Sequence, residues 1–229
     1  MATRTAVTTL FIKRGILKLL GRRFNRTEEA VAKEYTRIWS HPDNWDKNRA
    51  EYRQRQLAAL VEKINELAPA TVLELGAGMG NILDQLVTRC PSVSQWEGIE
   101  LTKTGVSALQ HASNVHIKQG SMLALQYGDD SFDLVFSFDS FEQLPREYPR
   151  AFAEAYRVTR RDAIFVEPFK EAQQDIFQRM HLINVDYFRA GVTSVEKAGF
   201  TILSETTFPK GSHSDILVTA RKSSGTRNR

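Results

Sequence analysis

The sequence predicts an α/β fold: a seven-stranded, mainly parallel sheet with helices on both faces, a C-terminal antiparallel β-hairpin and an N-terminal helical lid. Three observations carry this. From residue 71 onward, short apolar runs alternate with amphipathic segments, the pattern of strands buried on both faces beneath covering helices. One such run, Val72-Leu73-Glu74-Leu75, enters a glycine-rich turn, Gly76-Ala77-Gly78-Met79-Gly80. The last two runs are separated only by residues 209–213, a link that holds Pro209 and Gly211 and no helix, so they pair as a hairpin.

The elements follow in order. Residues 27–39 carry Ala30, Val31, Tyr35 and Ile38 at helical spacing. Residues 40–46 form a turn with His41 between Trp39 and Trp45. Residues 50–68 place Leu57, Leu60, Val61, Ile64 and Leu67 on one face at three- and four-residue steps, and Pro69 stops the helix. The expected strands are 71–75, 94–100, 115–118, 133–138, 163–167, 200–208 and 214–221. Helices are expected around 82–87, 104–110, 148–158 and 185–197, with a further helical stretch over 170–181. The chain thus divides into a helical extension or lid (1–56), an α/β domain (57–222) and a polar tail (223–229) expected to be disordered.

The chain has 229 residues, 41% hydrophobic and 25% charged, which suits one globular domain with an appendage. Its single cysteine, Cys90, excludes an intrachain disulfide and fits a reducing, cytoplasmic-type compartment. No apolar run approaches the roughly 20 residues of a membrane-spanning helix. The net charge of +4 is unevenly placed, with Arg4, Lys13, Arg14, Lys18, Arg22, Arg23 and Arg26 all preceding the first acid, Glu28. Arg221, Lys222, Arg227 and Arg229 close the chain. Positive charge at the ends rather than on a folded face disfavours nucleic acid as a partner. Residues 4–26 also contain Leu10, Phe11, Ile12, Ile16, Leu17, Leu19, Leu20 and Phe24, so a helix there would be cationic and amphipathic. Three readings stay open for it: peripheral contact with an anionic membrane, an organelle leader, or a lid on the domain.

The chemistry concentrates at the glycine-rich turn. Glycines let the backbone turn tightly and approach a ligand, and the following helix start offers free amides. The spacing is G-x-G-x-G, not the G-x-G-x-x-G of dinucleotide enzymes. Glu74 lies inside the strand before the loop, where a buried carboxylate needs donors or a cation. Glu100 closes the next strand, about twenty residues beyond the loop, where an acid accepts hydrogen bonds from ribose hydroxyls.

With these residues in place, VLELGAGMGNIL resembles the first motif of class I S-adenosylmethionine-dependent methyltransferases. GIEL resembles their ribose-binding strand end, and SFDLVFSFDSFEQLP followed by RVTRRDAIFVEP resembles their fourth- and fifth-strand region. The resemblance implies S-adenosylmethionine as cofactor. It implies that Glu74 organises the loop and the cofactor's amino group, and that Gly76, Ala77 and Gly78 pass the methionine part. It implies that Glu100 holds the ribose, with Leu101, Ser121 and Met122 beside the adenine. Phe138 and Asp139 would border the reactive end. Three positions depart from the family pattern. Ser121 stands where many relatives carry an acid for the adenine amino group, and Gln143 where many carry histidine. Arg161-Asp162 replaces a glycine pair before the fifth strand, which affects a turn.

Methyl transfer requires an aligned nucleophile, and an oxygen nucleophile often also needs a base. Asp139, His41 and His181 are the catalytic candidates, with Glu142 and Glu167 as further carboxylates. No Cys/His cluster has metal-ligand spacing, so no metal is expected. The expected function is methyl transfer to an oxygen or nitrogen of a small-molecule, sugar or lipid-linked acceptor. The alternatives are an RNA or protein acceptor, or a catalytically silent binding or assembly protein that kept the fold. A nicotinamide dehydrogenase is disfavoured by the loop spacing. The oligomeric state is not written in these residues.

Overall fold

A computed structural model describes residues 26–41, 50–107, 114–209 and 213–223. The cationic segment 4–25, Trp45 and the end of the tail lie outside the described residues, as does the second half of the expected helix 104–110.

Helix α1 (Glu28–Trp39) starts where the Thr27 side chain accepts a hydrogen bond from the Ala30 amide at 3.3 Å. Glu28 and Glu29 in its first turn and Arg37 in its last oppose the helix dipole. Helix α2 (Ala50–Leu67) ends at Ala68, which takes a left-handed φ of 46° before Pro69 bars continuation. The sheet comprises β1 (Thr71–Leu75), β2 (Gln95–Glu100), β3 (Val115–Gln119), β4 (Phe132–Phe138), β5 (Thr159–Glu167), β6 (Phe200–Pro209) and β7 (Ser214–Lys222). Helices α3 (Asn81–Val87), α4 (Lys103–Val106), α5 (Tyr148–Val158), α6 (Ile176–Val185) and α7 (Thr193–Lys197) complete the described set, with 3-10 turns at Phe141–Gln143 and Lys170–Ala172.

The strand order is β3-β2-β1-β4-β5-β7-β6. Strands β1 to β5 pair in parallel, and β7 runs antiparallel to both β5 and β6. The expected fold class is therefore found, hairpin included. The order reverses at β1, which lies between β2 and β4, so the connections leaving β1 and β4 part to opposite faces and open a crevice at the strands' carboxyl ends.

Alternation along the strands separates two cores. Leu73, Leu75, Ala163, Phe165, Val218 and Ala220 face α5 and α7, which contribute Phe152, Ala155 and Val195. Val72, Leu134, Phe136, Ile164, Val166 and Leu217 face α2 and α3, which contribute Leu57, Leu60, Ile64, Leu83 and Leu86. The register shifts between Phe132 and Leu134, where β5 carries one residue more than β4, and Phe132 packs in the first core while Leu134 packs in the second. No helix among the described residues is long and apolar enough to cross a membrane.

Three expectations are corrected. The single helix expected over 185–197 is absent, because Asp186 adopts a left-handed φ of 60° and ends α6. Beyond it Phe188, Ala190, Gly191 and Val192 are buried, which anchors the segment in the core before α7 begins. The helix expected over 170–181 divides, because Asp175 caps α6 by accepting from the Gln178 amide at 2.8 Å. Arg161-Asp162 lies inside β5, not in a turn. Asp162 is fully buried there, held by Arg161 Nε at 2.7 Å and by Arg221 Nε at 2.8 Å from its partner on β7.

Gly98 in β2 lets the glycine-rich turn rest on the sheet, since a Cβ there would meet the Ala77 Cβ at 2.8 Å. Gly98→Ala is expected to destabilise the protein by roughly 1–3 kcal/mol, read as a lower urea midpoint with unchanged m-value.

Candidate functional site

The crevice at the switch point holds a cleft of about 900 Å³, counted out to its open mouth. Its floor is the turn after β1. Gly76 and Gly78 take φ of +81° and +56°, a region that side chains strain to enter. The amides of Gly76 and Ala77 both donate to the Ile99 carbonyl, at 2.8 and 2.9 Å, which fastens the turn to β2. Glu100 adds a second tie. Its Oε2 accepts from the Gly78 amide at 3.1 Å, while Oε1 accepts from the Thr102 amide at 2.9 Å and the Thr102 hydroxyl at 2.6 Å.

Glu74 lies beneath this turn, 2% exposed. Its Oε2 is buried with no hydrogen-bond partner among the described residues. Burial pushes the carboxyl up to about 8; Arg53 pulls against that, and Glu100 and Asp84 add to it. An anion in this place is costly without a nearby cation.

Asp139, at the end of β4, takes a left-handed φ of 52°, a conformation that costs a non-glycine residue energy and that the surrounding structure must hold. Its Oδ2 meets Arg53 Nη2 of α2 at 3.3 Å, and the guanidinium lies 5.7 Å from the centre of the Phe138 ring. The turn that follows is held by Glu167 from the end of β5. Glu167 Oε1 accepts from the Ser137 hydroxyl and from the amides of Ser140 and Phe141, and Oε2 accepts from the Glu142 amide, all within 2.8–3.2 Å. Glu167 is therefore a structural clamp, spent on donors and closed to solvent.

The open side of the cleft is covered by α1. Glu28, Val31, Tyr35 and Trp39, one face of that helix at steps of three, four and four, line it. Trp39 lies directly over Gly78, so a Cβ at that glycine would meet its ring at 2.9 Å.

Of the site residues expected from sequence, Glu74, Gly76, Ala77, Gly78, Glu100, Leu101, Met122, Phe138 and Asp139 all line this one cleft. Ser121 adjoins it through its neighbours Gly120 and Met122; its hydroxyl donates to Glu28 and accepts from the Leu123 amide. His41 and His181 are not brought there. His41 is exposed at the end of α1, near the Arg37 carbonyl. His181 stacks on His213 with ring centres 5.4 Å apart, beside the His213–Asp215 contact of 3.6 Å. Sequence reasoning missed Arg53 and Glu28. The available signal was a charge on an apolar stripe: Arg53 precedes Leu57, Leu60 and Ile64 at helical steps, and Glu28 precedes Val31 and Tyr35. Among the described residues no group of three or more His, Cys, Asp or Glu side chains is placed to hold a metal ion.

The cleft fits a cationic nucleoside. The orphaned carboxylate oxygen of Glu74 calls for a positive group, and Glu74 lines the cleft together with Gly76 and Gly78. Glu100 Oε2 carries one hydrogen bond and keeps a lone pair for a sugar hydroxyl.

The family model described as a methyltransferase domain matches residues 72–162. No curated protein sequence matches the chain. Solved structures share its fold at low identity. One is the magnesium protoporphyrin IX methyltransferase of Synechocystis with bound S-adenosylhomocysteine, 13% identical, covering 86% of this chain and 100% of that one with a TM-score of 0.68. Another is the N-methyltransferase NodS of Bradyrhizobium japonicum, also in complex with S-adenosylhomocysteine, 12% identical over 84% and 98% of the two chains, TM-score 0.67. The 4+2 cyclase SpnF is likewise similar, 17% identical over 86% and 97%, TM-score 0.67.

Proposed function

The chain carries a methyltransferase domain set in a class I methyltransferase fold, and from this premise we propose that it uses S-adenosylmethionine to methylate an oxygen or nitrogen of a small-molecule, sugar or lipid-linked acceptor. The fold alone does not supply that reading, since a cyclase shares it. What carries it is Glu74, a buried carboxylate with an unpartnered oxygen directly under the glycine turn, one strand from Glu100.

The cofactor supplies a methyl group already activated by a sulfonium. The residues then divide the remaining work. Glu74 offers its charge to the ammonium end. Glu100 receives the sugar hydroxyls through its free lone pair while holding the Gly78 amide. Leu101, Ile99 and Met122 give apolar contact to the base. Trp39 and Tyr35 shut water out from above. Asp139 and Arg53 stand at the end of β4, where the acceptor must arrive. In this reading Asp139 takes the proton from an oxygen acceptor, and its contact with Arg53 supports that role by holding the carboxylate at the cleft.

The cleft is lined by four carboxylates, Glu28, Glu74, Glu100 and Asp139, and by one cation, Arg53, a balance that supports a small acceptor better than a polyanionic polymer. Isothermal titration with S-adenosylhomocysteine is expected to show one site. Heats measured in two buffers of different ionisation enthalpy should show proton release below pH 8, because a bound cation favours the charged form of Glu74. Failure of both S-adenosylmethionine and S-adenosylhomocysteine to bind overturns the reading. Binding without turnover across hydroxyl- and amine-bearing acceptors overturns the catalytic part.

A further inference from the structure

We infer that Glu28, on the helix that covers the cleft, is the residue that reads the base of the bound nucleoside, accepting a hydrogen bond from the exocyclic amine of adenine and so tying α1 to an occupied cleft. The inference rests on the nucleoside reading above and adds to it the residue that selects the base.

The strand order fixes the direction of the ligand. Across the carboxyl edge the cleft runs from Asp139 on β4, past Gly76 on β1 and Glu100 on β2, to Gly120 and Met122 after β3. A nucleoside with its sugar at Glu100 and its cationic end over Glu74 has only one direction left for its base, toward β3. The groups there are Ile99, Leu101 and Met122, which give apolar contact and no strong acceptor, and Glu28.

Glu28 is half-buried at the first turn of α1, and its position is fixed from the sheet side. Ser121 donates its hydroxyl to Glu28 Oε1 and itself accepts from the Leu123 amide at 3.0 Å, so that hydroxyl has no donor left to offer a ligand. Among the described residues Glu28 makes no other hydrogen bond, which leaves Oε2 able to accept. A carboxylate accepts and does not donate. It therefore favours a base edge that presents N–H and opposes one that presents a carbonyl.

Glu28 shares its helix face with Val31, Tyr35 and Trp39. A hydrogen bond from the base to Glu28 closes the first turn of α1 on the ligand, while Trp39 holds the last turn over Gly78. Recognition of the base and coverage of the cleft are then one event.

The test compares S-adenosylhomocysteine with its inosine counterpart, in which a carbonyl replaces the amine, by titration on the full chain. The native protein is expected to prefer the adenosine form by roughly ten- to hundredfold, the range of one hydrogen bond to a charged group. Glu28→Gln, whose amide both donates and accepts, is expected to bring the two ligands to within about threefold of each other. Ser121→Ala, which leaves Glu28 unheld, should give an intermediate preference. Hydrogen exchange over 28–39 should slow when S-adenosylhomocysteine binds the native protein and change much less in Glu28→Gln. An unchanged preference in Glu28→Gln overturns the assignment, provided the variant melts with the native protein. If the native protein binds neither ligand, it is the nucleoside reading itself that fails.

Discussion

Glu74→Gln is expected to weaken binding of S-adenosylhomocysteine by roughly ten- to a hundredfold and, at the same time, to raise the melting temperature at pH 8. The two effects have one cause. In the free protein the carboxyl is buried with an unpartnered oxygen, and burial lifts it from 4.5 to about 8. Below about pH 4.5 the folded and unfolded chains both hold this proton. Between there and pH 8 only the folded chain does, so unfolding releases a proton and rising pH favours the unfolded state. The stability that Glu74 contributes is thus complete below the ordinary carboxyl range and is lost as pH rises to about 8. A shift of this size corresponds to on the order of 4 kcal/mol at pH 8. Glutamine carries no charge to bury and escapes most of that loss. A gain of about 10 °C at pH 8, shrinking toward pH 5, is expected by calorimetry. A melting temperature that falls equally at both pH values would show that Glu74 is paired in the free protein. Retained stability gain with undiminished ligand affinity would show that the carboxylate does not serve the ligand.

Glu167→Ala is expected to act in the opposite sense, destabilising the fold by roughly 3–5 kcal/mol and lowering the melting temperature by about 10 °C. Burial pushes the Glu167 carboxyl up to about 8 as well, against the pull of the donors around it. The difference is what surrounds the two groups. Glu74 has an oxygen with no partner, whereas Glu167 is the acceptor for the Ser137 hydroxyl and for three successive amides, of Ser140, Phe141 and Glu142. Removing it strands those donors in an apolar core, each at a cost of roughly 1–3 kcal/mol before relaxation. Glu167→Gln should lose less, because its oxygen can keep the Oε1 donors while its amide opposes the Glu142 amide. Both variants loosen the turn that begins at Asp139 and runs to Gln143 and Leu144 at the cleft wall, so ligand affinity falls with stability. An alanine variant as stable as the native protein would mean that water satisfies the turn.

Much of this molecule is legible locally. The inner strands β1, β2, β4, β5 and β7 stand out because both their faces are buried, whereas the edge strands β3 and β6 are mostly exposed and show only a few alternating apolar positions. The glycine turn announces itself because positive φ at Gly76 and Gly78 excludes other residues. Glu74 and Glu100 stand out as acids on or at the end of buried strands. The segment 185–197 suits a helix by composition, while the burial of Phe188 and of the run Ala190 to Val192 in the core overrides that preference.

The succession of strands, the fold class and the residues that floor the cleft are written locally, because they follow from periods of two and 3.6 residues and from backbone conformations that one residue type permits. Tertiary structure decided which charges reach that floor. Arg53 meets Asp139 from 86 residues away, and Glu28 meets Ser121 from 93 residues away. It also decided that His41 and His181 stay outside the cleft, and that Glu167 clamps a turn. Such pairings arise only when the sheet order and the docking of α1 and α2 bring distant side chains together, and no local period records them.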